Sequence, residues 1–122
     1  MQTITIKNIL PDTDWMETEE GNVVYEKILP LIEGGEIVDL SFEGGTLVLT
    51  PFLNGAIGQL YRQFTREYIR AHLRLSNADP AFDIEDKWQR VEVNSINYYK
   101  SRNMLEYDAV VEKEIESWQL KN

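Results

Sequence analysis

The chain is predicted to be an α/β protein, a mixed β-sheet of about four strands packed with α-helices and followed by a C-terminal amphipathic helix. Three observations predict it. Short β-branched runs alternate with segments of helical periodicity, which is the element order of a layered α/β domain. The 122 residues suffice for one core and little more. Apolar residues make up 43%, aromatic 11% and charged 27% of the chain, a balance that folds rather than remaining disordered.

Thr3 to Lys7 alternates in a β-branched run closed by Pro11-Asp12, the pattern of an opening strand. Residues 12–22 are acidic and polar around Trp15 and Met16 and read as a loop with apolar anchors. Val24, Ile28 and Leu31 then mark one face of a helix from about Gly21-Asn22 to Gly34-Gly35. Pro30 lies inside it and predicts a kink or an early stop near Leu29. Glu36 to Phe42 is a second strand, Gly44-Gly45 a turn, and Thr46 to Leu49 a third strand or an extended connection.

Thr50-Pro51 fits the cap and first position of a helix. Leu53, Ile57, Leu60 and Phe64 continue it at helical spacing, with Gly55, Ala56 and Gly58 slim enough for close backbone approach. His72 to Leu75 reads as a strand and Asn77 to Pro80 as a turn. Ile84, Trp88, Val91 and Ser95 lie on one face of a helix reaching about Tyr99, with Val91 to Val93 as an alternative short strand. From Met104, the residues Tyr107, Val111, Ile115 and Trp118 form the apolar stripe of the C-terminal helix. The division is therefore an α/β domain over 1–102 and a helix over 103–122, packed on its own domain or, second, on another copy as a homodimer.

Twelve basic against 21 acidic side chains give a net charge of −9, which disfavours nucleic acid and anionic membranes as partners. The acid is concentrated early: residues 1–60 hold 2 basic and 10 acidic side chains. Apolar runs are far shorter than a membrane span, the N-terminus does not read as a signal peptide, and a cytoplasmic protein is the expectation. No cysteine is present and His72 is the lone histidine, so no metal site is expected and His72 reads as structural. The glycine pairs lack the phosphate-loop and dinucleotide patterns. No cofactor is expected. Asp12 with Asp14 and Glu19 with Glu20 sit in a polar loop where solvation explains them, and no nucleophilic constellation is visible. The chain is accordingly read as a non-enzyme.

Val38-Asp39-Leu40-Ser41-Phe42, then Leu49-Thr50-Pro51-Phe52-Leu53-Asn54-Gly55, and the pair Tyr98-Tyr99 resemble the STAS-like family of small bacterial proteins. That is a domain of unknown function similar to sulfate-transporter and anti-sigma-factor-antagonist domains, and the resemblance spans roughly residues 3–102. It implies a signal-transduction module that binds an ATP-binding, histidine-kinase-like or regulatory protein and is switched by phosphorylation at the start of the central helix. Carried onto this chain, the hydroxyl is Thr50, with Pro51 where the antagonist motif has serine. Thr50 is thus read as a helix cap, or as cap and phosphoacceptor. The implied docking surface is Glu43, Thr46, Thr50, Pro51, Phe52 and Asn54.

Arg62, Arg66, Arg70 and Arg74 recur every four residues as a basic stripe on the central helix, read as a solvated face, then as a partner to the acidic first half or the acidic tail, and last as a site for a phosphate-bearing ligand or an acidic partner. From a different class, the chain can be read as a small-molecule sensor holding its ligand between the acidic loop and the central helix, near Trp15 and the arginines.

Overall fold

The computed structural model describes residues 1–114, apart from the side chains of Phe82 and of residues 101–114. The described residues form five strands and four α-helices: β1 (Gln2–Thr5), β2 (Asp14–Trp15), α1 (Thr18–Glu33), β3 (Val38–Ser41), β4 (Leu47–Val48), α2 (Thr50–Ala56), α3 (Arg66–His72), β5 (Leu73–Ser76) and α4 (Ile84–Glu114). Short 3-10 turns occupy Ile6–Asn8, Gly58–Arg62 and Pro80–Phe82. The fold is α/β. Its strands, however, pair in parallel rather than in one mixed sheet: β1-β3-β5 form a three-stranded sheet, and β2-β4 a separate two-stranded ladder. Parallel pairing follows from the helix or long crossover that separates each pair along the chain.

Register sorts the three-stranded sheet into two faces. Ile4, Leu40 and Leu75 align across the strands, as do Gln2, Val38 and Leu73. Because side chains alternate, Thr3, Asp39 and Arg74 and then Thr5, Ser41 and Ser76 fall on the opposite face. The apolar face joins Val24, Ile28 and Ile32 of α1, Phe52, Leu53 and Ala56 of α2, and Val91 of α4 in one core.

Helix α1 starts three residues earlier than the sequence spacing predicts, because Glu20 reaches back to accept from the Glu17 and Met16 backbone N–H groups at 3.1 Å each. Pro30 neither stops nor ends it. Pro30 and Glu26, the residue whose carbonyl it deprives of a donor, are both exposed, so the missing bond falls on the solvent side of the helix. The helix ends where the glycines place it: Gly35 N–H donates to Ile32 O at 3.0 Å and Glu36 N–H to Leu31 O at 2.9 Å, with Gly35 at φ +82°. Gly35→Ala is expected to cost about 1 kcal/mol through that left-handed backbone, read as a lowered thermal midpoint.

The predicted central helix is not continuous. It breaks after Ala56 into the Gly58–Arg62 turn and resumes as α3, capped by Thr65, whose hydroxyl accepts from Tyr68 N–H at 3.1 Å. Gly58 packs against α4, and an added Cβ there would stand 2.8 Å from Ser95 Oγ. Apolar spacing survives the break because a 3-10 turn also returns every third residue to one face, which keeps Ile57 and Leu60 buried. The arginines therefore form no single stripe: Arg62 lies in the turn, Arg66 and Arg70 on α3, and Arg74 on β5.

His72 ends α3 instead of opening β5. Its ring stacks on Tyr68 at 4.0 Å, and Tyr68 stacks on Phe64 at 4.9 Å. Val91 to Val93 is helical. Helix α4 continues through 101–103, where the sequence suggests a division; what the stripe of Tyr107, Val111, Ile115 and Trp118 covers lies outside the described residues. No described helix is long and apolar enough to cross a membrane.

Candidate functional site

The sequence-implied docking surface lies where β4 enters α2. Leu49 is the extended N-cap, at φ −109° and ψ 157°, and Thr50 is the first helical residue with Pro51 beside it. Thr50 is thus not the cap: the proline fixes the helical turn one residue earlier than the hydroxyl-proline pattern places it. Leu49 remains 37% exposed, and Pro51 and Asn54 are exposed, while Thr50 is half-buried. Leu49 is not among the residues that the sequence implied, although it is an exposed apolar residue directly before the Thr-Pro helix start.

Phe52 belongs to the floor, not to the surface. It is fully buried and stacks on Trp15 with ring centroids 5.9 Å apart, and Phe42 closes the cluster at 6.2 Å from Trp15. Trp15 donates its indole N–H to Asp12 O at 2.9 Å. Gly45 lies flat on that indole, where a Cβ would stand 2.5 Å from the ring. Trp15 is therefore a core residue with no exposed ring surface.

The loop after β3 is fixed from both sides. Ser41 Oγ accepts from Glu43 N–H at 3.3 Å and from Asn77 Nδ2 at 2.9 Å. Glu43 also pairs with Lys7 at 3.6 Å, an exposed contact of little energetic weight. Thr46 donates its hydroxyl to Asp14 Oδ1 at 2.6 Å and meets Thr13 Oγ1 at 2.9 Å. Glu43, Thr46, Thr50, Pro51 and Asn54 are all at least partly accessible; only Phe52 of the sequence-implied set is withdrawn.

Two clefts adjoin this region. One, of about 420 Å³, is lined by Asp12, Thr13, Asp14, Met16, Glu17 and Glu20. The other, of about 300 Å³, lies between the end of α2 and α4 and is lined by Asn54, Gly58, Asn94, Ser95, Tyr98 and Tyr99. None of the four arginines lines either cleft. Among the described residues, no cluster of His, Asp or Glu is arranged to hold a metal ion.

A polar network centred on the buried Glu92 joins α3 and α4. Glu92, 2% exposed, takes both nitrogen arms of Arg70, Nε at 3.1 Å and Nη2 at 2.7 Å, and accepts from Tyr61 Oη at 2.8 Å. Trp88 donates its indole N–H to the same Tyr61 oxygen at 2.9 Å, and the Arg70 guanidinium stands over the Trp88 ring at 5.3 Å. Burial, and then the hydrogen bond to Glu92, push the Tyr61 hydroxyl well above its ordinary range. The phenol stays protonated and the network stays closed. Its geometry is that of a clamp between helices, in which the Glu92 carboxylate and the Tyr61 hydroxyl engage each other, Arg70 and Trp88.

A family model described as "STAS-like domain of unknown function (DUF4325)" matches residues 20–82, or 63 of the 122 residues, from the first turn of α1 to the turn before α4. No curated protein and no solved structure matches the chain.

Proposed function

Because the chain belongs to the STAS-like domain family of unknown function, we propose that it is a non-enzymatic regulatory module of the bacterial cytoplasm that binds and releases a protein partner, of ATP-binding or kinase-like type, through the start of α2 and the loop at 43–46. The observation that carries this reading is the contrast at the β4–α2 junction: Leu49, Pro51 and Asn54 stand exposed on a floor formed by the fully buried Phe52, Leu53 and Trp15. An apolar point within a polar rim, held on a rigid base, is how protein-recognition surfaces are built.

Thr50 lies in the middle of that surface, one residue after Leu49. Phosphorylation there adds about −1.5 to −2 charges and a bulky group. In a chain already at −9, the addition opposes an acidic partner surface and displaces a flush-fitting one. The partner is released by repulsion and by steric exclusion together.

Affinity capture from the native host, with recovered proteins identified by mass spectrometry, tests the reading. Wild type and Thr50→Ala are expected to recover an ATP-binding protein in stoichiometric amount; Thr50→Asp and Leu49→Glu are expected to lose it. Equal recovery with Thr50→Ala and Thr50→Asp sinks the switch, and equal recovery with Leu49→Glu sinks the surface itself.

A further inference from the structure

The two outer strands of the three-stranded sheet, β1 and β5, are not alike. Sheet edges are ordinarily guarded by charge, proline, a bulge or a covering element. β5 carries the exposed Arg74 and gives way to Asn77, left-handed at φ 53°. β1 reads Gln-Thr-Ile-Thr, without charge or proline, and Met1, 70% exposed, Gln2 and Thr3 all reach solvent.

The register decides which backbone groups this edge offers. Gln2 N–H donates to Ile37 O at 2.8 Å, so Gln2 turns its main-chain groups towards β3. Alternation along a parallel ladder then turns those of Thr3 and Thr5 outward. Among the described residues, neither threonine makes a backbone hydrogen bond beyond the ladder.

We propose that β1 pairs antiparallel with β1 of a second copy about a two-fold axis at Thr3, joining two three-stranded sheets into one of six. Thr3 N–H donates to Thr3 O of the second copy and Thr3 O accepts the return bond, while Thr5 N–H donates to Met1 O. Three features favour a second copy over an unrelated strand. Threonine faces threonine across the axis, a favourable cross-strand pair. Gln2 of each copy falls opposite Ile4 of the other and covers a side chain that one copy leaves half-buried. The exposed Lys7, two residues past β1, approaches the end of the second copy where the start of β1 lies beside Ile37 and the exposed Glu36. For a chain at −9, an uncharged strand with opposite charges at its two ends is where two copies meet with least repulsion. Lys7 also meets Glu43 of the docking surface, so the test reads copy number in the isolated protein, with no docking partner present.

Sedimentation of the full chain and oxidation of single-cysteine variants test the pairing, since the chain has no cysteine of its own. The axis sets the two Thr3 Cα atoms about 5.5 Å apart, within reach of a disulfide, and the two Thr5 Cα atoms about 14 Å apart, beyond it. Wild type is expected to dimerise with a Kd of about 10–100 µM, as suits a short contact. Thr3→Cys is expected to oxidise to a covalent dimer about ten-fold faster than Thr5→Cys or more. Thr3→Pro removes only an outward N–H and is expected to weaken the dimer about ten-fold or more while the circular dichroism stays that of wild type. The pairing is overturned if wild type sediments as a monomer up to about 500 µM, if folded Thr3→Pro dimerises as wild type does, or if Thr5→Cys cross-links as fast as Thr3→Cys. Should Thr3→Pro fail to fold, the two cysteine variants decide.

Discussion

Gly55→Ala is expected to lower stability by about 3 kcal/mol or more in urea unfolding, a large effect for one added methyl group. The reason is a helix crossing made of bare backbone. Gly21 of α1 and Gly55 of α2 face each other, and a Cβ on Gly55 would stand 3.1 Å from both Gly21 Cα and Asn22 N and would overlap Thr18 O. A Cβ on Gly21 would stand 2.6 Å from Ala56 N and would overlap Phe52 O. Neither helix can yield by turning a side chain, because the obstructing atoms are main chain. Gln59 bridges the same crossing, donating to Gly55 O at 2.9 Å and to Asn22 Oδ1, which ties the two helices at that separation. Gly21→Ala should behave alike. A loss below about 1 kcal/mol for both would mean that the helices separate without cost.

Breaking the α3–α4 clamp is the second large effect. Arg70→Met leaves the Glu92 carboxylate buried with Tyr61 as its remaining partner. Removing one member of a fully buried pair costs about 3–5 kcal/mol. Here the Arg70 side chain is 45% exposed, so solvent screens the pair and about 2 kcal/mol is the expected loss. Glu92→Leu alone also strands the Tyr61 hydroxyl, which loses its acceptor. The double variant Arg70→Met/Glu92→Leu removes both charges and is expected to lose less than the sum of the two single losses, by about 1 kcal/mol or more. Denaturant midpoints for the four proteins of the cycle measure the coupling. Strict additivity would show that Arg70 and Glu92 contribute independently.

Much of the architecture was legible in residue pattern. The β-branched run before Phe42 gives β3, the Val24–Ile28 spacing gives the buried face of α1, and Gly34-Gly35 gives its end. The break between α2 and α3 was not legible, because 3-10 and α-helical turns bury the same spaced residues, Ile57 and Leu60 among them. Thr65 carried the missing signal, a hydroxyl cap three residues before Tyr68. Trp15 looked like part of an acidic loop, since a two-residue strand leaves almost no periodicity to read. At the β4–α2 junction, the exposure of Glu43, Thr46, Pro51 and Asn54 is legible in their polar or turn-forming types, but the burial of Phe52 is not, because it follows from pairing with Trp15 across 37 residues of chain. Glu92 was overlooked as well. It follows Trp88 by four residues and so shares the apolar face, which is the one hint the sequence contains of a buried carboxylate.

The central position of β3 in the three-stranded sheet also governs how the chain can assemble. Gln2 waits for Val38, and Val38 waits for Leu73, so each ladder closes a loop of about 35 residues before its first bond forms. A nascent chain emerging from the ribosome cannot begin this sheet until β3 has appeared, and β1 must remain unpaired until then. High contact order of this kind slows folding relative to a helical bundle of equal length. A chain stalled before residue 73 would display the edge of β3 to any other extended chain nearby.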